Sequence, residues 1–329
     1  MSGGVTTRRG LVAGGLAARF LWPGSTSAQG AWPSRPLRLI VPFPPGGASD
    51  LLGRLMADGL TARLGQPVVV ENRGGAAGLT AAEYASKQPG DGHTLLLGTQ
   101  PTQVFNKFLY SRLPYDPDRD FTPLSTVASV PYVLVVTPGL PAADLPGLIA
   151  YARAHPGRLN YGSSGIGGGM HLATHLFAER AGGDMVHVPY RGAAPAVTAL
   201  VQGEVQLMVD LVPNSLPLVR SGQLRAFAVG LPERTPLLPG VPTFHEHGIT
   251  DFDVPSWFIL VAAGQIPLEA EERLRAAAEG TVADPAFAAR LEAVSAQPMP
   301  ISGPALRDFL AEQGARWEAV IRSAKVRLD

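Results

Sequence analysis

Short apolar runs alternate with longer amphipathic stretches along most of this chain. The short runs end at glycine, proline or polar residues, which predicts strands at 37–43, 68–71, 94–98, 130–137, 159–162, 185–188, 207–209, 225–229 and 258–262. The longer stretches repeat apolar residues at helical spacing, which predicts helices at 51–64, 78–88, 145–155, 171–181, 193–202, 269–281 and 306–325. This alternation predicts an α/β fold of mainly parallel sheets flanked by helices.

Two segments of this pattern share one layout: an apolar strand, a glycine-rich turn and an amphipathic helix. The first turn spans residues 44–50 and the second spans residues 162–169. A glycine-rich turn that enters a helix exposes unpaired backbone N–H groups at the positive end of the helix dipole. Such a turn can hold a carboxylate or a phosphate. The two turns therefore predict a small anion held between two parts of the protein.

The length of the chain predicts more than one structural unit. Its 329 residues exceed what a single hydrophobic core usually supports. Strand-like stretches near 130–137 and 257–261 are candidate crossings between two units, and the helix at 306–325 is suited to dock across a unit built from separate segments. We therefore predict an export signal at 1–30, a first lobe from 31–133 plus 257–329, and a second lobe from 134–256.

The N-terminal segment has the composition of an export signal. Arg8 and Arg9 precede a modestly apolar run that ends at Leu21, and small residues follow. This favours a twin-arginine signal, with an ordinary secretory signal as the alternative. The run is about half the roughly 20 residues that a membrane span needs, and Arg19 interrupts it. We expect cleavage and release into the periplasm without a lipid or membrane anchor.

Composition narrows the possible functions. The chain has no cysteine, which excludes disulfides, thiolate metal sites and a cysteine nucleophile. Its 27 basic and 27 acidic residues become 24 and 27 without the three arginines of the signal, and 24 − 27 gives a net charge of −3. A weakly acidic chain with scattered charges argues against a nucleic-acid partner. An anionic ligand would have to be captured by local groups.

The two turns match none of the common cofactor or catalytic motifs. No Gly-Lys-Ser or Gly-Lys-Thr follows them, Met170 stands where a dinucleotide fingerprint needs its third glycine, and Ile166 stands where a nucleophile elbow needs glycine. His171 and His175 have the spacing of a helical zinc site, but the intervening metalloprotease glutamate is absent. We therefore expect neither a cofactor nor a metal.

Two aspartates have two possible roles each. Asp50 falls in the first helical turn after the first glycine turn, where it could face the ligand or complement the helix dipole. Asp210 follows the apolar run at 207–209, and strand ends of this kind point into the ligand crevice of α/β domains. The alternative for Asp210 is a loop cap.

Several segments, taken in order, resemble one family. The matching text lies at 32–33, 36, 40–50, 70–78, 113–116, 159–165, 187–192, 195–196, 238–243 and 256–258. On these segments the chain resembles the Bug (TctC-like) receptors, the periplasmic substrate-binding proteins of tripartite tricarboxylate transporters. The resemblance covers nearly all of the chain after the signal.

The resemblance implies a two-lobed periplasmic binding protein of the type II, or Venus flytrap, class that closes around a small carboxylate and is not an enzyme. It implies contacts from the main chain of the first glycine turn, partly through ordered water, and opposing contacts from the second lobe. The residues carried over are Phe43, Gly46, Gly47, Ala48, Asp50 and Thr99 in the first lobe and Ser163, Ser164, Gly165, His171 and Asp210 in the second. The implied partners are the carboxylate and the transporter's membrane subunits, and we expect a monomer.

The chain departs from the family pattern in two loops near the expected crevice. The usual Gly-Thr-x-Gly-Thr-His after the third strand has Pro101 in place of its second glycine and Gln103 in place of histidine. Leu211 stands where asparagine or threonine is frequent. The ligand can therefore not be taken from any relative, and Leu211 favours an aromatic or aliphatic carboxylate.

Two other functions stay open at this point. An enzyme on the same scaffold could use His171 as acid or base, with Asp210 orienting it. A sensory receptor could present its closed form to a signalling partner instead of a transporter.

Overall fold

The computed structural model describes residues 1–5, 32–250, 252 and 255–328. Most of the predicted export signal lies outside these residues, and residues 1–5 carry no helix or strand. The contacts divide the chain into Met1–Ala31 and a second unit, Trp32–Asp329, which contains the whole fold described below. No helix among the described residues is long and apolar enough to cross a membrane.

Eleven strands and ten α-helices alternate along the described part of the second unit. The strands are β1 (Leu37–Val41), β2 (Val68–Asn72), β3 (Thr94–Thr99), β4 (Phe121–Val130), β5 (Tyr132–Val136), β6 (Leu159–Ser163), β7 (Met185–Pro189), β8 (Leu207–Leu211), β9 (Arg225–Val229), β10 (Ser256–Ala263) and β11 (Gln297–Pro298). The helices are α1 (Ala48–Leu64), α2 (Leu79–Ser86), α3 (Asn106–Leu109), α4 (Leu145–Ala154), α5 (Gly169–Ala181), α6 (Ala193–Gln202), α7 (Val212–Arg220), α8 (Leu268–Val282), α9 (Pro285–Ala293) and α10 (Gly303–Ala324).

The strands form two mixed sheets. The first has the order β11-β4-β10-β3-β1-β2, and the second has the order β7-β6-β8-β5-β9. The strand–helix–strand units pair in parallel, β1 with β2 and β3, and β6 with β7 and β8. The strands next to the crossings, β10 and β5, pair antiparallel with both neighbours. The predicted α/β fold is confirmed, but each sheet is parallel only in its strand–helix–strand half.

The chain passes between the sheets at two places. Pro131 alone separates β4 of the first sheet from β5 of the second, and the chain returns between β9 and β10. All strands before Pro131 and after Pro255 belong to the first sheet. The sheets therefore exchange close to the predicted lobe boundaries, whereas movement of two lobes stays a prediction.

The first sheet is buried on both faces. Alternate residues of β1 point to opposite sides, so Leu39 packs with α1 and α8 residues such as Leu60 and Leu274, and Ile40 packs with α2 residues such as Ala82. Burial on both faces explains why β1 and β3 have almost continuous apolar sequences. Because both faces are covered, one layer of helices lies on each side of the strand ends.

Helix α10 connects the hydrophobic core of the first sheet with that of the second. It packs against α3, β4 and α5. The ring centroid of its buried Trp317 is 4.7 Å from that of Phe105. Gln313, also on α10, accepts a 3.0 Å hydrogen bond from the indole N–H of Trp257. The apolar cluster that contains Trp317 continues into the second sheet through residues such as Tyr132.

Some regular elements lie outside the predicted ones, and proline explains two of them. Pro123 interrupts the apolar pattern of β4, where a register shift opposite Leu260 and Val261 accommodates it. Helix α7 contains Pro213 in its first turn and Pro217 inside. The short α3 and the nine-residue α9 were also not predicted.

Candidate functional site

A cavity of about 570 Å³ lies where loops and helix N-termini from both sheets meet. It is lined by residues from the first glycine turn, from both crossings and from the starts of four helices. These are Phe43, Pro44, Pro45, Gly46, Gly47, Ala48, Ser49, Leu51, Thr99, Pro101, Tyr132, Ser164, Gly169, Met170, Arg191, Gly192, Ala193, Ala194, Pro195, Val197, Leu211, Pro213, Asn214, Ser256 and Phe258.

Three of the helices begin at the cavity with a glycine N-cap and without a side-chain cap. The N-cap residues of α1, α5 and α6 are Gly47, Gly168 and Gly192, and no side chain accepts a hydrogen bond from the first turn of these helices. Their free N–H groups carry the positive end of each helix dipole. Within the described lining, Arg191 is the one charged side chain. It is exposed, and no ion pair with it occurs among the described residues. The cavity is therefore electropositive.

Asp50 shapes the first glycine turn from behind. It is buried outside the cavity lining and accepts hydrogen bonds from Gly46 N at 3.0 Å, Arg54 Nε at 3.1 Å and Asn72 Nδ2 at 3.0 Å. Burial opposes its ionisation, but the hydrogen bonds from Arg54, Gly46 and Asn72 outweigh burial and lower the pKa of Asp50 below its usual value. Asn72 also donates to the carbonyl of Phe43 at 3.0 Å. The carboxylate thus holds the turn that presents the α1 N-terminus.

Strand β3 ends in the cavity lining, at Thr99. The backbone N–H of Thr99 donates to Thr102 Oγ1 at 2.8 Å, and Thr102 Oγ1 donates back to the carbonyl of Thr99 at 3.1 Å. This closed turn places Pro101, one of the departures from the family pattern, in the cavity lining. Gln103, the other departure in this loop, is buried behind the lining.

The second glycine turn contributes little of its own side-chain surface to the cavity. Ser164 lines it, whereas Ser163 is fully buried and points the other way, with Oγ 2.6 Å from His187 Nε2. Gly165 adopts φ +140° and also lies outside the lining. His171 is 4% exposed and accepts a 3.0 Å hydrogen bond at Nδ1 from Gly167 N. Of the predicted residues in this turn, only Ser164 faces the cavity.

Asp210 holds the segment that leads into α7. The fully buried carboxylate accepts hydrogen bonds from Leu211 N at 2.7 Å, from Asn214 Nδ2 at 2.9 Å and from the hydroxyl of Ser215. Burial raises the pKa of Asp210 to about 6, against the opposing effect of these hydrogen bonds. Asp210 therefore fixes Leu211 and Asn214, which do line the cavity. It accepts no hydrogen bond from a backbone N–H in the first turn of α7, whose N-cap residue is Leu211.

The structure thus divides the predicted site residues into two groups. Phe43, Gly46, Gly47, Ala48, Thr99 and Ser164 line the cavity, whereas Asp50, Ser163, Gly165, His171 and Asp210 lie behind its wall. The second group departs from the expectation of direct contact. Its four side chains are hydrogen-bonded to backbone groups or to other side chains, and the backbone of Gly165 is bonded to Ser163 Oγ. Ligand contact by the first group stays a prediction.

The sequence reasoning missed a third unit with the same layout. Strand β7, Gly192 and α6 repeat the strand–glycine–helix pattern, and Arg191 precedes the glycine. Tyr132, Asn214, Ser256 and Phe258 were also missed. The signal was present in the segment 187–192, which carries part of the family resemblance.

A metal site has no support in the described residues. They contain no group of three or more histidine, cysteine, aspartate or glutamate residues arranged to hold an ion. His171 and His175 share one helix, but the ring of His171 is engaged by Gly167 and by His187.

Comparison with known proteins identifies the family. Residues 52–326 match the family model of the tripartite tricarboxylate transporter family receptor, TctC. The chain is 36% identical over 302 residues to the protein BugT of Bordetella pertussis, covering 90% of this chain and 91% of BugT. The chain therefore belongs to the TctC family of receptors.

Two solved structures are similar to this fold. One is R. palustris Rpa4515 with adipate, which is 37% identical at a TM-score of 0.85 and covers 90% of this chain and 99% of that chain. The other is MatC from Rhodopseudomonas palustris with bound malate, 32% identical at a TM-score of 0.81, covering 88% of this chain and 100% of that chain. The two sheets flanked by helices are the fold of a TctC-type binding protein, and the chain is a solute-binding receptor.

Two adjacent glycines should respond oppositely to substitution. Gly46 has φ +89°, so Gly46→Ala should destabilise the fold by about 1–2 kcal/mol. Gly47 has φ −92°, and an added Cβ meets nothing within 4 Å. Gly47→Asp should therefore be tolerated and should stabilise the fold by roughly 0.3–1 kcal/mol, because aspartate caps a helix well. Urea denaturation of both variants measures the difference, and equal destabilisation would contradict the conformation of this turn.

Proposed function

We propose that this chain is a periplasmic receptor that binds a small carboxylate in the cavity and delivers it to the membrane subunits of a tripartite tricarboxylate transporter. One observation carries the proposal. Three uncapped helix N-termini and the guanidinium of Arg191 face a cavity whose described lining has no acidic side chain. The family match to transporter receptors supports the delivery step.

The geometry favours an anion for a simple electrostatic reason. Each uncapped N-terminus presents the equivalent of about half a positive charge together with free donors. Apolar side chains such as Phe43 and Phe258 limit the access of water, which strengthens charge-assisted hydrogen bonds to a bound carboxylate. Capture is local, which is consistent with the balanced overall charge of the chain.

The lining also favours a particular type of carboxylate. Adipate occupies the similar Rpa4515 structure and malate the similar MatC structure. Here the lining from β8 and α6 includes the apolar residues Leu211, Val197 and Pro195. We propose that an aliphatic or aromatic carboxylate, with its apolar body against these residues, binds better than a hydroxylated tricarboxylate.

An enzymatic function has no support in the site. Neither His171 nor Asp210 lines the cavity, and each is engaged in hydrogen bonds within the protein. Burial lowers the pKa of His171 to about 3, so the ring is a poor base at neutral pH. The relatives are solute-binding proteins, which agrees with a receptor that leaves its ligand unchanged.

Carboxylates should stabilise the receptor in a thermal-shift panel. A ligand at 100 times its Kd adds about 2.7 kcal/mol to the free energy of unfolding. We expect adipate and benzoate to shift the melting temperature more than citrate does. Gly47→Asp should abolish the shift, because its tethered carboxylate occupies the α1 N-terminus, and the neutral isostere Gly47→Asn should retain part of it. No shift with any carboxylate, or an unchanged shift in Gly47→Asp, would overturn the proposal.

Binding should also draw the two sheets together. We propose that residues 31–133 plus 257–329 and residues 134–256 act as lobes, because the free helix N-termini that face the cavity come from both sheets. Small-angle scattering should show a smaller radius of gyration with saturating adipate than without it. The scattering intensity should correspond to a monomer in both states. Saturable binding with an unchanged scattering curve would indicate a preformed pocket without lobe motion.

Export should depend on the N-terminal arginines. We propose that residues 1–30 direct the folded protein to the periplasm and are removed there, on the strength of Arg8 and Arg9 before a weakly apolar run. Replacing both with lysine should leave uncleaved precursor in the cytoplasm, as seen by cell fractionation. Normal export of that double variant would contradict the twin-arginine route but not the periplasmic location.

A further inference from the structure

A stack of three rings lies behind the second glycine turn. The ring of His171 on α5 lies parallel to that of His187 on β7, with centroids 3.8 Å apart and an angle of 11° between the planes. The ring centroid of Tyr161 on β6 lies 4.9 Å from that of His187 and 6.2 Å from that of His171, with angles of 22° and 19° between the planes. Neither histidine belongs to the cavity lining. The binding site described above leaves the stack without a role.

Both histidines are hydrogen-bonded to the turn itself. His171 Nδ1 accepts the N–H of Gly167 at 3.0 Å. His187 Nε2 lies 2.6 Å from Ser163 Oγ, which in turn bonds the carbonyl of Gly165 at 3.1 Å and its N–H at 3.2 Å. The stack therefore holds the turn at two points. Ser164 lies between the two points, and Gly169 is the first residue of α5. Both residues line the cavity.

The contact at Gly167 requires a neutral ring. A hydrogen bond from a backbone N–H needs the lone pair of Nδ1, and protonation at that atom removes the acceptor. Burial lowers the pKa of His171 to about 3, assisted by the charges of His187 and His175, and burial together with His175 lowers that of His187 to about 4. Glu179 acts on His175 in the opposite sense. The tyrosine of the stack is neutral, since burial raises the pKa of Tyr161 to about 12. The rings thus remain neutral over the ordinary range of pH, and Nδ1 of His171 stays available as the acceptor for Gly167 N–H.

The opposite side of Gly167 is closed by packing. Gly167 adopts φ +74°, and a Cβ on it would lie 2.6 Å from Leu109 Cδ1 and 2.9 Å from Leu328 Cδ1. Leu328 is itself tied to Leu109 by a 2.7 Å backbone hydrogen bond. The turn is therefore clamped between two leucines and an imidazole acceptor, which leaves its amide groups little freedom to move.

We propose that His171 and His187 are positioning residues for ligand binding: as a neutral stacked pair they fix the second glycine turn so that the free N–H groups at the start of α5 face the ligand. This inference rests on the proposed function, because a fixed turn matters for affinity only if an anion binds there. It differs from direct contact, since neither ring reaches the cavity. Preorganised donors bind more tightly because no ordering has to accompany association.

Two substitutions at one position separate the hydrogen bond from the ring. His171→Phe keeps a buried ring against His187 but has no acceptor for Gly167 N–H. His171→Asn loses the ring but can place its Oδ1 near the position of Nδ1. With the exported protein, we expect His171→Phe to weaken adipate binding at least tenfold in calorimetry without loss of the folded state. We expect His171→Asn to remain within about threefold of the wild type.

Two further readouts do not depend on the ligand. Hydrogen exchange over residues 163–169 should be faster in His171→Phe than in the wild type, and slow again in His171→Asn. In the unfolded chain these histidines take up protons near pH 6.5, whereas in the folded chain they do not until about pH 4 and below. Lowering the pH from 7 to 5 should therefore destabilise the wild type, and should destabilise His171→Asn less. Adipate affinity should stay constant between pH 7 and 8, above the range in which Asp210, with its pKa raised by burial to about 6, takes up a proton.

The outcomes distinguish this inference from the proposed function. Unchanged adipate affinity and unchanged exchange in His171→Phe would overturn the positioning role even if the wild type binds carboxylates well. An adipate affinity that falls with a midpoint near pH 6.5 in the wild type but not in His171→Asn would contradict the neutral pair, since Asp210 is present in both proteins. Absence of any carboxylate binding by the wild type would overturn the proposed function, and the exchange rates over 163–169 would still decide whether the stack holds the turn.

Discussion

The free backbone N–H groups at the starts of α1, α5 and α6 are the constraint on which the rest of this structure depends. A folded chain normally satisfies such groups with a side-chain cap, and here the N-cap positions are glycines. Glycine leaves the donors open, but it also gives up the rigidity that a cap would provide. Each turn therefore needs support from behind: Asp50 for the first turn, and the histidine stack with Ser163 for the second. The buried polar groups of the site follow from this need.

The two buried aspartates show how environment assigns different roles to one side chain. Asp50 accepts hydrogen bonds from a guanidinium, an amide side chain and a backbone N–H, and the pKa of its carboxyl falls. Asp210 has neutral partners only, and burial raises its pKa to about 6. The first stays ionised and anchors the electropositive wall. The second holds Leu211 and Asn214 at the start of α7. That helix offers fewer free donors than the other three, because Val212 N–H donates to the carbonyl of Pro131 and Pro213 has no N–H.

The periodic part of the fold could be predicted from sequence, because apolar spacing reports burial directly. Strands such as β1 and β3 are buried on both faces and have continuous apolar runs that no helix of this composition would show. Proline concealed β4 and α7, since Pro123 and Pro217 break the local pattern while the surrounding packing tolerates them. Sequence propensity reports only local preference, and in β4 and α7 the tertiary contacts determine the secondary structure.

The site could be predicted only at the level of the backbone. The glycine turns can be recognised from their composition, but the direction of each side chain depends on the conformation of the loop. Ser163 and Ser164 are neighbours with the same chemistry, and one of them points to His187 while the other lines the cavity, because successive residues at a strand end face opposite sides. Arg191 escaped notice because β7 is a half-exposed edge strand with a single glycine after it, unlike the two glycine-rich turns.

The position of α10 sets a limit on how such receptors can diversify. Its Trp317 belongs to an apolar cluster that includes residues of the first sheet, such as Ile40, and Phe105 in the turn after β3, and that extends to residues of the second sheet, such as Tyr132. Tyr132 is also part of the cavity wall. The middle segment, residues 134–256, thus cannot be exchanged between relatives independently of α10. A new specificity assembled by recombining halves of two relatives would bring an unmatched surface under this helix, whereas changes confined to the loops at the strand ends leave the shared core intact.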